Sequence, residues 1–231
     1  MIIGNGMLAK AFKMYEKDDE ILIFASGVSN SQEQADEAFE REKKLLEKTI
    51  IENQRQIIIY FSTCSINDSS MSNSRYVIHK LAMEKMIKNL HSNFYIFRLS
   101  QVVGRTNSPT IINYFYNRII AKEQFEIWEK STRNLIDVDD IVKIIQMIIN
   151  KSILKNNTIN IASPYFVKIP YIIQILEKIL LIKAEYISLD KGAFYNIDIS
   201  DIKPIIKELD LRFDDYYLEK IIRKYYCNYK E

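Results

Sequence analysis

The 231 residues predict an α/β fold, a doubly wound parallel sheet with a smaller α/β lobe in the C-terminal part. Short apolar runs that suit buried strands alternate with segments of helical periodicity. Hydrophobic residues make up 48% of the chain and charged residues 27%, a balance typical of a globular protein. Only 5 residues are glycine, and Gly4, Gly27 and Gly104 each follow a predicted strand, at the sheet edge where such folds bind ligands.

The first half of the chain is expected to alternate strands with helices. Residues 1–3, 21–25, 56–61 and 94–99 are short and apolar, which favours buried strands. Residues 7–15, 34–53 and 76–90 have helical spacing. The predicted apolar faces are Phe39, Leu45, Leu46, Ile50 and Ile51 on the second helix, and Ile78, Leu81, Ala82, Met86 and Ile87 on the third. Right-handed crossovers between parallel strands follow from this order.

The pattern changes after Gly104. Helices are expected at residues 110–121, 139–150, 169–181, 200–209 and 214–226, and strands at 124–128, 158–161 and 186–189. We therefore expect residues 1–104 to form the sheet domain, with parts of 130–165 returning to it. Residues 105–231 are expected to form most of the smaller lobe.

Composition excludes several classes of function. The formal net charge of +2 provides no basic footprint for nucleic acid, and no apolar run approaches the ~18–20 residues of a membrane span. The chain opens without a signal-peptide pattern. Cys64 and Cys227 are too few for a disulfide framework and lack metal-ligand spacing. We expect a soluble, cytoplasmic protein with no metal, no nucleic-acid partner and no membrane span.

A glycine turn is the first candidate binding feature. Residues 4–9 read Gly-Asn-Gly-Met-Leu-Ala, a GxGxxA pattern between the first strand and the first helix. Glycines at this place let the backbone approach a pyrophosphate, and a helix N-terminus attracts negative charge. A tight strand–helix turn without a ligand has the same pattern, but the position directly after the first strand favours binding.

Tyr76 and Lys80 form the second candidate feature. Their i, i+4 spacing places them on one helix face, where the ammonium can favour the phenolate and prepare it for proton transfer. Two other Tyr/Lys pairs share this spacing, Tyr216/Lys220 and Tyr226/Lys230, and we expect both at the surface. Only Tyr76 follows a strand that ends in hydroxyl side chains, Ser62 and Thr63.

These features, in this order, resemble the extended short-chain dehydrogenases/reductases, the family of sugar-nucleotide epimerases, dehydratases and reductases. Residues 75–85 are similar to its active-site helix, 97–104 to its LRxxxVxG strand end, 133–141 to its RDFxxVDDxA segment and 160–163 to its NIxxx strand. The resemblance covers most of the chain and implies a Rossmann-like fold that binds NAD or NADP.

The resemblance also implies site residues. Tyr76 would be the acid/base for hydride transfer at a sugar hydroxyl or ketone, and Lys80 would bind the nicotinamide ribose and tune Tyr76. Thr63, or Ser62 if the register slips by one, would hold the reacting oxygen. Cofactor contacts would come from Gly4, Asn5, Gly6, Met7, Leu8, Ala9, Ala25, Ser26 and Gly27. Substrate contacts would come from Cys64, Ser65, Gln101, Arg105 and Arg133. For Arg98, Arg105 and Arg133 a structural salt bridge is an equal alternative.

The chain departs from the family between its first helix and residues 21–25. Only residues 13–20 lie there, so the second and third strands of the family are missing and residues 21–25 must take the fourth-strand place. The missing part holds adenosine in the family. The cofactor is then held mainly by its nicotinamide and pyrophosphate end, or another subunit or loop covers the adenosine, or binding is lost.

A second departure narrows the reaction. Cys64 and Ser65 stand where the dehydratases carry an Asp-Glu pair, which argues against dehydration; Cys64 is either a second acid/base or an inert buried thiol. We expect a sugar-nucleotide 4-ketoreductase or epimerase of surface-polysaccharide biosynthesis. The alternative is a non-catalytic or cofactor-poor nucleotide-sugar-binding or scaffold subunit. Residues 34–53 and 76–90 match the helices through which the family dimerises, so a homodimer is the alternative to a solvated face.

Overall fold

Eleven strands and eight α-helices organise the computed structural model, which describes residues 1–192 and 194–227. The strands are β1 (Ile2–Ile3), β2 (Ile21–Phe24), β3 (Ile57–Thr63), β4 (Phe94–Leu99), β5 (Gln101–Val103), β6 (Phe125–Trp128), β7 (Thr132–Arg133), β8 (Leu135–Asp137), β9 (Thr158–Ile161), β10 (Val167–Lys168) and β11 (Tyr186–Leu189). The helices are α1 (Met7–Ala11), α2 (Asp36–Glu52), α3 (Arg75–Leu90), α4 (Ile111–Ala121), α5 (Val138–Asn150), α6 (Ile169–Leu180), α7 (Lys203–Glu208) and α8 (Tyr217–Tyr226). These counts refer to the described residues.

The central sheet is parallel and has the strand order β1-β2-β3-β4-β9. Its registers pair Ile2 with Ile23 and Ile23 with Ile59, so β2 lies between β1 and β3. The prediction that residues 21–25 take the fourth-strand place, with the second and third strands missing, is therefore confirmed. Within the described residues β1 is the outer strand, because only a 3-10 turn (Lys13–Tyr15) and a short loop connect α1 to β2.

Helices cover both faces of this sheet, as a doubly wound fold requires. On one face α2 and α3 bury Leu46, Ile50, Met83 and Ile87 against the strands. On the other face α1, α5 and α7 pack over a core that is rich in isoleucine. Residues of the 197–213 segment join this second core, together with the returning strand β9. The domain boundaries stay a prediction.

A separate core belongs to the smaller lobe. Helices α4, α6 and α8 pack there on β6 and β8, around Phe115, Ile172, Leu176 and Ile222. The expectation that the Tyr226 pair lies at the surface is wrong for the tyrosine: Tyr226 is buried in this core because α8 turns that side inward. Its partner Lys230 lies outside the described residues. Tyr216, in contrast, is 76% exposed, as expected.

Two predicted helix faces are corrected by the structure. On α2, Ile51 was predicted to be buried but is exposed. Glu42, which was not predicted on the apolar face, is fully buried. On α3, Ile78 and Leu81 are exposed, while Lys80 and Glu84 face the sheet. Apolar spacing failed here because both helices bury charged side chains that are paired, and such pairing offsets the penalty for burying a charge.

Candidate active site

A cavity of about 460 Å³ opens at the carboxyl ends of β1 to β4. Its lining includes most of the predicted site residues: Asn5, Gly6, Met7, Leu8, Ala25, Ser26, Gly27, Ser62, Thr63, Cys64, Ser65, Tyr76, Lys80 and Gln101. Among the described lining residues only Arg41 and Lys80 carry a charge, and both are positive. Because the buried Glu42 pairs with Lys80, Arg41 is the charge in this described lining that favours an anionic ligand.

The two glycines of the turn differ in what surrounds them. Gly4 has a φ of +128°, and a Cβ on it would collide with the carbonyl group of Ala25, so glycine is required where β1 leaves the sheet. A Cβ on Gly6 would meet nothing within 4 Å. The Gly6 backbone therefore faces open space, which is what a pyrophosphate needs for a close approach.

Tyr76 and Lys80 both line the cavity from α3, which begins at a serine cap: the Ser74 hydroxyl accepts a hydrogen bond from the Val77 amide at 3.2 Å. The Lys80 ammonium lies 5.9 Å from the centre of the Tyr76 ring. It donates to the Glu42 carboxylate at 3.0 Å and to the Tyr60 hydroxyl at 3.1 Å. The two predicted catalytic residues are thus brought together, and a carboxylate holds the lysine.

The hydroxyls at the end of β3 have different partners. Ser62 donates at 2.6 Å to Glu84, whose two carboxylate oxygens also bind Arg98 at 2.8 and 2.6 Å. This resolves the alternative for Arg98 in favour of a structural ion pair. The Thr63 hydroxyl interacts only with Ser65, among the described residues. A ligand can therefore bind the Thr63 hydroxyl without breaking a hydrogen bond to a buried carboxylate, whereas binding Ser62 would break its bond to Glu84.

Cys64 is a buried thiol. It is 1% exposed, and its Sγ donates to the carbonyl oxygen of Arg98 at 3.0 Å. Burial raises the pKa of this thiol to about 12, so the reactive thiolate is scarce at neutral pH. These properties favour the inert alternative over a second acid/base.

Alkylation should distinguish the two cysteines by their accessibility. We expect iodoacetamide at pH 8 to modify one thiol in the native protein, the exposed Cys227. The Cys227→Ser variant should stay unlabelled until denaturant is added, which mass spectrometry can follow. Rapid native labelling of that variant would show that Cys64 is accessible and reactive.

The substrate arginines are placed less favourably. Arg105 is exposed, and neither it nor Arg133 belongs to the described lining. Burial lowers the pKa of Arg133, and the nearby Tyr195 and Asp68 counteract this effect. Tyr195, one of these two electrostatic neighbours of Arg133, does line the cavity. The substrate roles of both arginines stay predictions.

Two residues of the site were missed in the sequence. Arg41 reaches the cavity rim and donates to the backbone oxygen of Ser26 at 3.2 Å. Glu42 is 0% exposed and lies behind Lys80. A signal for Glu42 existed: it stands three residues after Phe39 and four before Leu46, on the stripe of α2 that packs inward.

Comparisons with known proteins agree with this geometry. The model of the family described as "NAD dependent epimerase/dehydratase family" matches residues 5–162. None of the curated proteins compared matches the sequence significantly. The fold is similar to that of UDP-glucuronic acid 4-epimerase from Bacillus cereus, in complex with UDP-glucuronic acid and NAD, with a TM-score of 0.72 and 17% identity over 92% of this chain and 76% of that one.

Two further structures share the fold. The UDP-N-acetylglucosamine 4-epimerase from Methanobrevibacter ruminantium, in complex with UDP-N-acetylmuramic acid, has a TM-score of 0.68 and 19% identity, covering 91% of this chain and 76% of its own. The enzyme WbmH from Bordetella bronchiseptica, in complex with NAD+, has a TM-score of 0.67 and 15% identity, covering 96% and 81%. None of the helices within residues 1–192 and 194–227 has the length and hydropathy to cross a membrane.

Proposed function

Because this chain belongs to the NAD-dependent epimerase/dehydratase family, we propose that it is a sugar-nucleotide oxidoreductase that uses NAD or NADP, either a 4-ketoreductase or a 4-epimerase. The observation that carries the proposal is the convergence of the glycine turn, Thr63, Tyr76 and Lys80 on one cavity. Nucleotide sugars in the related structures support the substrate class.

The residues present fit a dinucleotide. The open space over Gly6 suits a pyrophosphate, and the positive charge of Arg41 complements its negative charge. When bound, the nicotinamide gives or takes a hydride. Gly4, Ala25, Ser26 and Gly27 would shape the cofactor side of the cavity.

The protein's own part in the reaction is to hold the reacting oxygen and move its proton. Tyr76 would take the proton from the sugar hydroxyl during oxidation and return it during reduction. Thr63 would fix that oxygen by a hydrogen bond, and Gln101 and Ser65 would contact the sugar. The described lining contains no carboxylate, which supports proton and hydride transfer rather than elimination of water.

We place the reaction in the cytoplasm, in the supply of activated sugars for surface polysaccharides. The free thiols Cys64 and Cys227 support a reducing compartment. A reduced or epimerised nucleotide sugar keeps its activated phosphate bond, so a glycosyl-transfer reaction can consume the product.

Calorimetric titration with NAD, NADH, NADP and NADPH tests the proposal. We expect micromolar binding of at least one of them, because the pyrophosphate and nicotinamide ends of the site are present. Absence of binding of all four up to millimolar concentration would overturn the oxidoreductase proposal. It would favour the alternative of a nucleotide-sugar-binding or scaffold subunit, which the missing adenosine half supports.

We also propose a homodimer through α2 and α3. These helices pack side by side, and Ile51, Ile78 and Leu81 on them are 64%, 55% and 40% exposed. We expect light scattering after size exclusion to give twice the 27.3 kDa chain mass. The double variant Ile78→Glu, Leu81→Glu should be monomeric, while the control Ile120→Glu on α4 should not change the mass. A monomeric wild type would contradict the dimer.

A further inference from the structure

A buried carboxylate connects the predicted lysine to the cofactor loop. Glu42 uses one oxygen, Oε1, to accept from the Tyr60 hydroxyl at 2.6 Å and from the Lys80 ammonium at 3.0 Å. The other oxygen, Oε2, accepts from the Val28 amide at 2.6 Å and lies 3.0 Å from His79 Nε2. Within the described residues four partners satisfy this carboxylate, and two of them, Lys80 and Val28, line the cavity.

The loop of residues 25–31 rests directly on this ion pair. A Cβ on Gly27 would lie 2.6 Å from Lys80 Nζ and 2.8 Å from Glu42 Oε1, so the loop backbone has no space above the pair. The neighbouring Arg41 donates to the Ser26 carbonyl oxygen at 3.2 Å. Two consecutive residues of α2 therefore hold successive parts of the loop, which follows the strand next to the sheet edge.

The charges of this cluster are balanced. Burial alone would raise the pKa of Glu42, but Lys80 and the hydrogen bonds from His79, Tyr60 and Val28 hold that pKa well below its ordinary value. Glu42 is therefore ionised and compensates the Lys80 ammonium in the protein interior. An ammonium has three donors. Within the described residues two of them are used, to Glu42 and Tyr60, so the third could serve a ribose hydroxyl.

We propose that Glu42 is a positioning residue that fixes the Lys80 ammonium and the 25–31 loop together, so that both meet the nicotinamide ribose and pyrophosphate of a bound dinucleotide. This inference rests on the proposed function. Glu42 acts through Lys80 and Val28, and it has no contact with the cavity itself. The described part of this chain lacks the strands that hold adenosine in the family. The buried Glu42 would therefore order the part of the cofactor site that is present, the Lys80 side chain and the 25–31 loop.

The test measures NADH binding by calorimetry in matched variants, or NADPH binding if the titration shows that the wild type prefers NADP(H). Glu42→Gln keeps the shape but removes the charge and one acceptor, and Glu40→Gln on the exposed side of α2 is the control. We expect Glu42→Gln to weaken NADH binding roughly 10- to 100-fold, the equivalent of a hydrogen bond to a charged group. The control should bind like the wild type. If Glu42→Gln does not fold, Glu42→Asp replaces it, since a shorter carboxylate cannot reach both Lys80 and Val28.

Hydrogen–deuterium exchange without cofactor provides the second readout. In the wild type, the amides of peptides that contain Val28 should exchange slowly. In Glu42→Gln the same peptides should exchange faster than in the control Glu40→Gln. A variant that loses thermal stability but binds NADH like the wild type, with unchanged exchange in the loop, would overturn the positioning role. If the wild type binds none of NAD, NADH, NADP and NADPH, the proposed function fails, and the role of Glu42 toward a cofactor fails with it.

Discussion

Replacing Tyr76 with phenylalanine is expected to lower kcat by about 10²–10⁴-fold, the usual contribution of a general acid/base. The reason is that the substitution removes only the hydroxyl, while the ring keeps its packing against Val28 and Phe39. Binding of NADH and the melting temperature should therefore stay close to the wild-type values. The measurement is turnover of a nucleotide sugar with NAD(H) or NADP(H), whichever the titration selects.

The control for this prediction is Tyr216→Phe, because Tyr216 stands four residues before Lys220 with the same spacing but is 76% exposed. It should leave kcat unchanged. Full activity in Tyr76→Phe would contradict the acid/base role and favour the binding-module alternative.

The second large effect is expected on stability, from Glu84→Ala. The Glu84 and Arg98 side chains are 3% and 22% exposed, and the same carboxylate accepts from Ser62. Glu84 also holds the pKa of Arg98 above its ordinary value. Removing one partner of a buried ion pair leaves an uncompensated charge, which costs about 3–5 kcal/mol of unfolding free energy. Urea denaturation followed by circular dichroism measures this loss.

An exposed ion pair provides the comparison. Arg118 and Glu123 are 41% and 55% exposed, so Glu123→Ala should cost less than ~1 kcal/mol. The double variant Glu84→Leu, Arg98→Met should recover much of the loss, because apolar side chains of similar volume need no partner. Equal effects of Glu84→Ala and Glu123→Ala would refute this explanation.

The strand arrangement could be predicted because chain length constrained it. So few residues separate α1 from β2 that no further strand fits between them, and β2 had to neighbour β1. The membership of Gly6, Thr63, Tyr76 and Lys80 in one cavity followed in the same way, since the carboxyl ends of parallel strands meet at one edge.

The positions of charged residues on α2 and α3 could not be predicted from apolar spacing. Helix α2 carries charges on nearly every side. Only helical spacing, three residues after Phe39 and four before Leu46, distinguishes the buried Glu42 from the exposed Glu40 in the sequence. Glu42 can be buried because it accepts hydrogen bonds from Lys80 and Tyr60, which belong to other elements and lie 38 and 18 residues away in sequence. These partners are distant in sequence, so they can be identified only from the folded structure, in which the sheet brings them close to Glu42.

The outer position of β1 has a kinetic consequence. A dinucleotide held without an enclosed adenosine has fewer contacts to break before it leaves, and differences in affinity between related complexes lie mostly in the dissociation rate. A short residence time suits a reductase, which must exchange spent cofactor after every turnover. An epimerase instead returns the hydride to the same sugar and gains from keeping its cofactor. The position of β1 at the edge of the sheet thus affects whether the dinucleotide is exchanged after each turnover, as a co-substrate, or stays bound, as a prosthetic group.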